Sequence, residues 1–397
     1  KILRLSSMND KHRWISERAN TVPWSGVRKM FDLAQKYNDT ISLSVGEPDF
    51  PTPQHIVDAA FEAVKKGYTH YTPNAGLMEF REAAAKKLEK ENNIKADPSK
   101  EIIATVGAMG ALALATLAVI NRGDEVLIPN PGFQSYEAQV LLAEGKPVYY
   151  PTITGRTFNV DLDEMEKLVS KKTKAIILNS PSNPTGAVFN GKQLRGIAEI
   201  AVKNDLLVIS DEAYEAITYD HAKHVCVGSL QEMKERTISI FSFSKTHAMT
   251  GWRIGFAVGN EKIIQQMIKL QEHLAAHPSS VSQMAATAAL CGSTNHVKMM
   301  VKEYTERRDM LLKELTEISG IKCIKPHGAF YVFPNISAFK MSSHDFAMSM
   351  LEKAKVIIVP GTAFGSNGEG YIRISYATSR EKITEAVTRI KKALKIK

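Results

Sequence analysis

One lysine of the chain stands out because of the side chains around it. Lys245 lies between Ser244 and Thr246, and Arg253 follows eight positions later. Hydroxyl groups and an arginine can bind a phosphate together, and positive charge near a partly desolvated lysine lowers the pKa of its amine. An unprotonated amine can form a Schiff base with a carbonyl compound. The run therefore indicates an amine held beside a phosphate, although a single lysine on a loop is usually a solvated surface charge.

A carboxylate follows the predicted buried strand Leu206–Ser210. Asp211, at the mouth of this strand, is costly unless it meets a positive partner. One candidate partner is the N-terminus of a following helix, which Asp211 would cap. The other is the nitrogen of a bound pyridinium ring, which an ionised aspartate would keep protonated and able to accept electrons. On this residue alone, the helix cap is the simpler interpretation.

Two further segments could bind oxygen atoms of a ligand. Arg373 alternates with apolar residues in the predicted strand Tyr371–Ser375, where it needs a carboxylate to grip with two parallel hydrogen bonds. That carboxylate could belong to the protein or to a substrate. The turn 179–186, Asn-Ser-Pro-Ser-Asn-Pro-Thr-Gly, could present the Asn183 amide to a ligand, or it could simply be an ordered turn.

A glycine-containing turn is a candidate phosphate site. The predicted strand Ile102–Val106 leads into Gly-Ala-Met-Gly at 107–110 and then into a helix. Backbone amides at a helix N-terminus bind phosphate well, and glycine allows a close approach. The segment could equally be an ordinary strand–helix turn. The lysine of a phosphate loop and the glycine spacing of a dinucleotide site are both missing from it.

Size and composition limit the classes of protein to which the chain can belong. Its 397 residues, 44% hydrophobic and 23% charged, predict a soluble protein of two domains. The longest apolar stretch, Ala111–Ile120, is too short to cross a bilayer and predicts a buried helix. Three scattered cysteines show neither a disulfide pattern nor metal-ligand spacing, which favours the cytoplasm. The net charge of +9 is spread along the chain, so nucleic-acid binding is disfavoured; a phosphorylated or dicarboxylate ligand would suit it equally well.

Strand and helix patterns alternate between residues 100 and 260, which predicts a mostly parallel sheet covered on both faces. The predicted strands are Ile102–Val106, Glu125–Pro129, Pro147–Tyr150, Ala175–Leu178, Leu206–Ser210, Ile238–Phe241 and Ile254–Val258. Ligands bind at the carboxyl ends of such strands, where the residues above lie. The later part predicts a smaller α+β domain, with strands at Ala329–Phe333, Val356–Val359 and Tyr371–Ser375 and helices at His344–Ala354 and Arg380–Leu394.

Together these segments resemble the fold-type-I pyridoxal 5′-phosphate (PLP) enzymes, and specifically the aspartate-aminotransferase family, the class I/II aminotransferases. The resemblance covers nearly the whole chain and rests on segments in the order of the family: Ser44–Phe50, His70–Gly76, Gly107–Leu112, Pro129–Tyr136, Asn179–Gly186, Asp211–Tyr214, Ser242–Gly255 and Gly370–Ala377. It implies an α/β fold with a seven-stranded, mostly parallel sheet in a large PLP-binding domain, residues 47–288. A smaller α+β domain would combine residues 1–46 and 289–397.

The resemblance also implies which residues hold PLP. They are Ala108, Met109, Ser242, Ser244 and Arg253 on the phosphate, and Phe133, Asn183, Asp211, Tyr214 and Lys245 around the ring. Lys245 would form the Schiff base and move a proton at the substrate Cα, while Asp211 would pair with the ring nitrogen. Phe133 would stack on the ring.

Substrate binding and assembly follow from the same resemblance. Arg373, helped by Asn183 and the Gly46 backbone, would bind the substrate α-carboxylate. Tyr71 would reach the phosphate in the neighbouring subunit, which implies a homodimer with shared active sites. The implied reaction is PLP/pyridoxamine ping-pong transfer of an amino group from an L-amino acid to a 2-oxo acid, with 2-oxoglutarate as the expected acceptor.

Met109 bears on the choice of amino donor. Some prokaryotic aspartate aminotransferases similar to this chain carry at this position a lysine that contacts the distal carboxylate of the substrate, and methionine offers no charge. We therefore expect aromatic or broad-specificity donors, with aspartate aminotransferase as the alternative. Three further hypotheses remain for this chain: another enzyme on the same scaffold, either a C–S β-lyase or an aminocyclopropane-carboxylate synthase; a non-catalytic PLP sensor; and a nucleotide-binding α/β protein.

Overall fold

The computed structural model describes residues 14–155 and 157–394. Residues 1–13 and 395–397 of the predicted smaller domain, and Arg156 of the larger one, lie outside the described residues. Within them, none of the helices combines the length and the apolar character needed to cross a membrane.

Strands and helices follow one another in mixed order along the chain. The strands are β1 (Ile41–Ser42), β2 (Ile102–Thr105), β3 (Glu125–Asn130), β4 (Lys146–Pro151), β5 (Thr173–Asn179), β6 (Leu207–Asp211), β7 (Thr237–Ser242), β8 (Gly255–Val258), β9 (Tyr331–Val332), β10 (Val356–Ile357), β11 (Val359–Pro360) and β12 (Ile372–Ser375). The α-helices are α1 (Glu17–Thr21), α2 (Gly26–Ala34), α3 (Gln54–Lys65), α4 (Met78–Asn92), α5 (Gly107–Val119), α6 (Ser135–Leu142), α7 (Leu162–Lys167), α8 (Gly191–Lys203), α9 (Phe243–Thr246), α10 (Glu261–Leu274), α11 (Ser280–Cys291), α12 (Asn295–Thr316), α13 (Ser343–Ser349) and α14 (Arg380–Ala393).

Seven strands form the main sheet, in the order β2-β8-β7-β6-β5-β3-β4. Strand β8 runs antiparallel to both of its neighbours, and the other pairs are parallel. Strands β2, β3 and β8 are buried at every position, as expected for a sheet with helices on both faces. The predicted fold class, α/β with a mostly parallel seven-stranded sheet, is confirmed, and each of the seven predicted strands is present.

Strand pairing brings the candidate residues to one edge of the main sheet. Asn179 at the end of β5 pairs in register with Asp211 at the end of β6. Gly255 pairs with Thr105 on one side and with Ser242 on the other. Because α5 begins two residues after Thr105, its N-terminus lies next to the loop that carries Lys245. The sheet therefore brings the turn after β2 and the ends of β5, β6 and β7 together at the same edge.

A second hydrophobic core surrounds the shorter strands. Strands β11, β12 and β9 form an antiparallel sheet, and β1 pairs in parallel with β10. Helices α12 and α14 pack against each other beside these strands. Because β1 belongs to the N-terminal segment and β10 to the C-terminal part, these two parts of the chain share one core. The boundaries of the two predicted domains stay a prediction.

Two predicted elements of the C-terminal part differ from the structure. The single strand predicted at Val356–Val359 is wrong: Ile357 pairs with β1, whereas Val359 pairs with Arg373 of β12. Pairing changes from β1 to β12 at Ile358, so the single apolar run contains two short strands, β10 and β11. The helix predicted at His344–Ala354 is α only in α13 and ends in a π-helical segment, Met350–Ala354.

Candidate active site

A cavity of about 530 Å³ opens where the carboxyl ends of β5, β6 and β7 face the second core. Its wall contains all but one of the residues predicted to bind cofactor or substrate: Gly46, Ala108, Met109, Phe133, Asn183, Asp211, Tyr214, Ser242, Ser244, Lys245, Arg253 and Arg373. The exception is Tyr71. Residues that are more than 300 positions apart in the chain therefore meet in one cavity.

Lys245 lies on the short helix α9, directly after β7. Its Nζ donates a hydrogen bond to the Gly46 carbonyl at 2.5 Å, so the amine is held in the cavity rather than in bulk solvent. Burial lowers the pKa of Lys245 to about 8, with Arg373 and Arg253 acting in the same direction and Glu47 opposing them. An appreciable fraction of the amine is therefore unprotonated near neutral pH, as Schiff-base formation requires.

Asp211 faces the same cavity from the end of β6. Its Oδ2 accepts a hydrogen bond from the Tyr136 hydroxyl at 2.8 Å, and its Oδ1 accepts one from the Ala213 amide at 3.1 Å. No helix begins at this point, so the interpretation of Asp211 as a helix cap is wrong. Burial raises the pKa of Asp211 to about 6, against the effect of the Tyr136 hydrogen bond. Within residues 14–155 and 157–394, Asp211 forms no ion pair, so its charge suits a cationic atom of a ligand.

Tyr136 is a site residue that the sequence analysis missed. It lies in the first turn of α6, is 1% exposed, and packs edge to face on Phe133. A tyrosine at the start of an apolar helix looks like an ordinary core residue. No local pattern marks Tyr136 as a site residue, because the partner of its hydroxyl, Asp211, lies at the end of β6.

The phosphate end of the cavity depends on two glycines. A Cβ on Gly255 would lie 3.0 Å from the Ala108 amide nitrogen, and a Cβ on Gly107 would lie 2.8 Å from Nη2 of Arg253. Gly107 also has a φ of +67°, which favours glycine. Their small size lets Arg253 and the N-terminus of α5 approach each other closely. Amide donors and a guanidinium together make an anion site of the kind that a phosphate fills.

Arg373 is a buried cation without an anionic partner in the described part of the chain. Its Nη1 donates to Asn183 Oδ1 at 3.0 Å and its Nη2 to the Ser44 carbonyl at 2.5 Å, while its Nε has no hydrogen-bond partner. The internal salt bridge that was one of two possibilities for Arg373 is therefore not formed in this structure. A substrate carboxylate could supply the missing negative charge.

The match to a family of known proteins agrees with this geometry. Residues 38–390 match the model of the family described as aminotransferase class I and II. The chain belongs to the class I and II aminotransferases.

Individual relatives and solved structures match the aminotransferase over nearly its full length. It is 51% identical to an aspartate aminotransferase of Pyrococcus abyssi and 48% identical to aromatic-amino-acid aminotransferase 2 of Thermococcus litoralis, each match covering 96% of this chain and 99% of the relative. The structure of an aromatic aminotransferase from Pyrococcus horikoshii is similar, with a TM-score of 0.88 and 49% identity over 93% of this chain and 98% of that chain. The aspartate aminotransferase of Thermus thermophilus with maleate gives a TM-score of 0.91 and 36% identity over 96% and 100%.

Family membership establishes that this aminotransferase is a PLP-dependent transaminase. The hypotheses of a nucleotide-binding protein and of a non-catalytic PLP sensor are therefore wrong. The residues of the cavity fit PLP: Asp211 lacks a cationic partner among the described residues, the anion site between Arg253 and α5 suits a phosphate, and Lys245 supplies an amine on the same wall.

Tyr71 lies outside the cavity of the aminotransferase. Its side chain is 91% exposed and contacts the ring of His277 edge to face, with centroids 5.7 Å apart. Within one chain Tyr71 therefore does not line this cavity, and its predicted contact with the phosphate in a neighbouring subunit stays a prediction.

A buried histidine that should affect stability in acid directly follows helix α9. His247 Nδ1 lies 2.9 Å from His296 Nε2, and burial lowers the pKa of His247 to about 3, with His296, Lys87 and His55 adding to the effect. Folded His247 is thus neutral, whereas its unfolded form binds a proton below about pH 6.5. Stability from this group is full above pH 6.5 and is lost as the pH falls towards 3.

We expect His247→Gln to weaken the dependence of the unfolding free energy on pH between 6.5 and 4. The wild type should lose up to about 1.4 kcal/mol per pH unit more than the variant in this window. Urea denaturation of both proteins at several pH values measures the difference, and His344→Gln, at an exposed position, is the matched control. Equal slopes for wild type and His247→Gln would contradict the assignment.

Proposed function

We propose that this transaminase takes the amino group from aromatic or otherwise apolar L-amino acids and gives it to 2-oxoglutarate. The observation that carries the donor class is the cavity wall, where Met109, Leu112 and Val27 are apolar. Lys245, Arg253 and Arg373 have the proposed tasks given below, and the other cation on this wall among the described residues, Arg28, forms an ion pair with Asp32 at 3.0 Å. Relatives named for aromatic amino acids and for aspartate support a substrate in one of these classes.

Each cavity residue that was predicted to bind the cofactor has a proposed task. Bound PLP supplies an electron sink for the bond that breaks at the substrate Cα. The Lys245 amine holds the cofactor at rest and takes and returns the Cα proton, while Asp211 stabilises the positive charge of the ring nitrogen. Phe133 packs on the ring, and the hydroxyl of Tyr214 and the amide of Asn183 bind its oxygen. The phosphate is held by Ala108, Met109, Ser242, Ser244 and Arg253.

Arg373 has the proposed task of binding the α-carboxylate that every amino acid substrate carries. Asn183 fixes the guanidinium from one side and the Ser44 carbonyl fixes it from another, so that Arg373 is oriented before substrate arrives. The Gly46 backbone lies in the same loop and completes the substrate end of the cavity.

Arg373→Ala should raise KM about 10²-fold for every amino donor, because it removes a buried charge that pairs with a group common to all of them. Steady-state kinetics with phenylalanine, tyrosine and aspartate test this. Arg380→Ala changes an exposed arginine and is the control. An effect confined to aspartate would contradict the assignment, since Arg373 would then bind the distal carboxylate.

We also propose a homodimer in which Tyr71 reaches the phosphate of its partner. An exposed tyrosine outside its own cavity supports this arrangement. The proposed large domain spans 47–288, and the proposed small domain, from 1–46 and 289–397, closes on substrate. The three free cysteines support a reducing location such as the cytoplasm.

The decisive experiment adds single amino acids to the PLP-loaded enzyme without a 2-oxo acid and follows the absorbance of the cofactor. We expect aromatic donors to bleach the band and 2-oxoglutarate to restore it. Bleaching by aspartate alone would overturn the proposed donor class while leaving the reaction intact. Turnover of the donor without any need for a 2-oxo acid would indicate a β-lyase instead.

A further inference from the structure

Tyr331 lies on the cavity wall beside Arg373, although nothing in the proposed chemistry uses it. It is part of β9, is 1% exposed, and belongs to the cavity wall. Its hydroxyl lies 2.8 Å from the hydroxyl of Tyr214, and the guanidinium carbon of Arg373 lies 4.4 Å from the centroid of its ring. Tyr331 therefore contacts both the residue proposed to bind the substrate carboxylate and one proposed to bind the cofactor ring.

The chain makes room for this hydroxyl at Gly46. A Cβ at position 46 would lie 2.3 Å from the Tyr331 oxygen, which is too close for any residue with a side chain to fit there without a shift. The Gly46 carbonyl also accepts the hydrogen bond from Lys245. The backbone at this position is thus shaped around the Tyr331 hydroxyl and the lysine amine at the same time.

The number of protons determines the direction of the hydrogen bond between the two tyrosines. Each hydroxyl has one proton to donate and can accept others. If Tyr214 donates its proton to the oxygen of the cofactor ring, its oxygen must accept the proton of Tyr331. Tyr331 has no other acceptor for that proton among the hydrogen bonds of the described residues. The positive charge of Arg373 over its ring strengthens Tyr331 as a donor, because the charge favours loss of electron density from the oxygen.

We propose that Tyr331 is a positioning residue that directs the hydroxyl proton of Tyr214 towards the cofactor. Through the same hydrogen bond, the charge state of Arg373 changes how strongly Tyr214 donates to the cofactor. With Arg373 unpaired, Tyr331 donates strongly and Tyr214 in turn donates strongly to the ring oxygen. When a substrate carboxylate neutralises Arg373, both donations weaken, and the negative charge on the ring oxygen is less stabilised. A proton is then held more tightly beside that oxygen once substrate is bound. This inference rests on the proposed roles of Tyr214 and Arg373.

The direct contact between Arg373 and Asn183 offers a separate path to the ring, so the contribution of Tyr331 must be isolated. Tyr331→Phe removes only the hydroxyl. Tyr304→Phe is a matched control, because Tyr304 lies in the same hydrophobic core, is fully buried, and has a hydroxyl without a hydrogen-bond partner in the described residues. A comparison of Tyr214→Phe with the double variant then shows whether Tyr331 acts through Tyr214.

The experiment titrates the absorbance of bound PLP against pH, first alone and then with saturating maleate or 3-phenylpropionate, which carry a carboxylate but no amine. We expect either carboxylate to raise the titration midpoint of the wild type. Tyr331→Phe should raise the midpoint of the carboxylate-free enzyme by about one pH unit and reduce the further carboxylate-induced shift at least twofold. Tyr304→Phe should match the wild type, and adding Tyr331→Phe to Tyr214→Phe should cause no additional change.

The outcomes separate the two levels of the proposal. Wild-type midpoints in Tyr331→Phe, or an additive effect in the double variant, would overturn the role of Tyr331 and leave the proposed function standing. A wild type whose bound PLP does not titrate, or does not respond to either carboxylate, would overturn the roles of Tyr214 and Arg373 and the inference with them. Equal shifts in Tyr331→Phe and Tyr304→Phe would show an effect of core packing alone and also overturn it.

Discussion

Lys245→Ala should abolish transamination. The Lys245 amine is the one amine on the cavity wall of the described structure, and its pKa of about 8 leaves an unprotonated fraction at neutral pH. Without it, the resting cofactor has no covalent link and the Cα proton has no base. We expect kcat to fall by at least about 10⁴-fold, since both nucleophilic and acid–base contributions are lost.

Rates with a proven donor measure the loss, and borohydride treatment followed by intact-protein mass measurement tests the link. Wild-type protein should gain the mass of reduced PLP, and Lys245→Ala should not. Lys262→Ala, at an exposed position of α10, should behave as the wild type in both assays. Activity within tenfold of the wild type in Lys245→Ala would refute the mechanism.

Asp211→Ala and Asp211→Asn should each lower kcat by about 10³-fold or more, because both remove the negative charge beside the ring nitrogen. Asparagine can still accept the hydrogen bond that Tyr136 donates to Oδ2 in the wild type. The comparison therefore separates charge from hydrogen bonding. If Asp211→Asn kept most of the activity while Asp211→Ala lost it, the hydrogen bond to Tyr136 would be the important property and the charge would not.

Tyr136→Phe provides the complementary control for Asp211. It keeps the carboxylate and removes the hydroxyl that binds it, so the loss should be much smaller than for either aspartate variant. Steady-state rates of Asp211→Ala, Asp211→Asn and Tyr136→Phe in one assay rank the three losses of activity. A loss in Tyr136→Phe as large as in Asp211→Asn would mean that the position of the carboxylate matters as much as its charge.

The main sheet could be predicted from the sequence for a physical reason, and with it half of the residues on the cavity wall. Its strands are short apolar runs that end in polar residues such as Asn179, Asp211 and Ser242, and parallel pairing places such ends at one edge. The pattern within each segment is thus enough to gather the residues. The residue roles are predictions that the variants described above test.

Tyr136 and Tyr331 could not be predicted because their signals are not local. An aromatic residue in an apolar segment is expected in a core, and both are indeed buried there. They belong to the site because of the partners of their hydroxyl groups, which lie far away in the sequence. The partner of Tyr136 is Asp211, 75 positions away, and the partner of Tyr331 is Tyr214, 117 positions away. The absence of an anionic partner for Arg373 among the described residues could not be predicted either. No sequence pattern shows that a buried arginine contacts an amide and a carbonyl instead of a carboxylate.

The order of these parts along the chain has a consequence for the protein during its synthesis. The residues proposed to hold the cofactor within one subunit are complete once Arg253 has been added, whereas the carboxylate-binding Arg373 comes with β12, close to the end of the described chain. Domains tend to fold as units as they emerge. A ribosome-bound chain therefore contains every residue proposed for the cofactor end of its cavity well before it contains the arginine proposed to bind the amino acid.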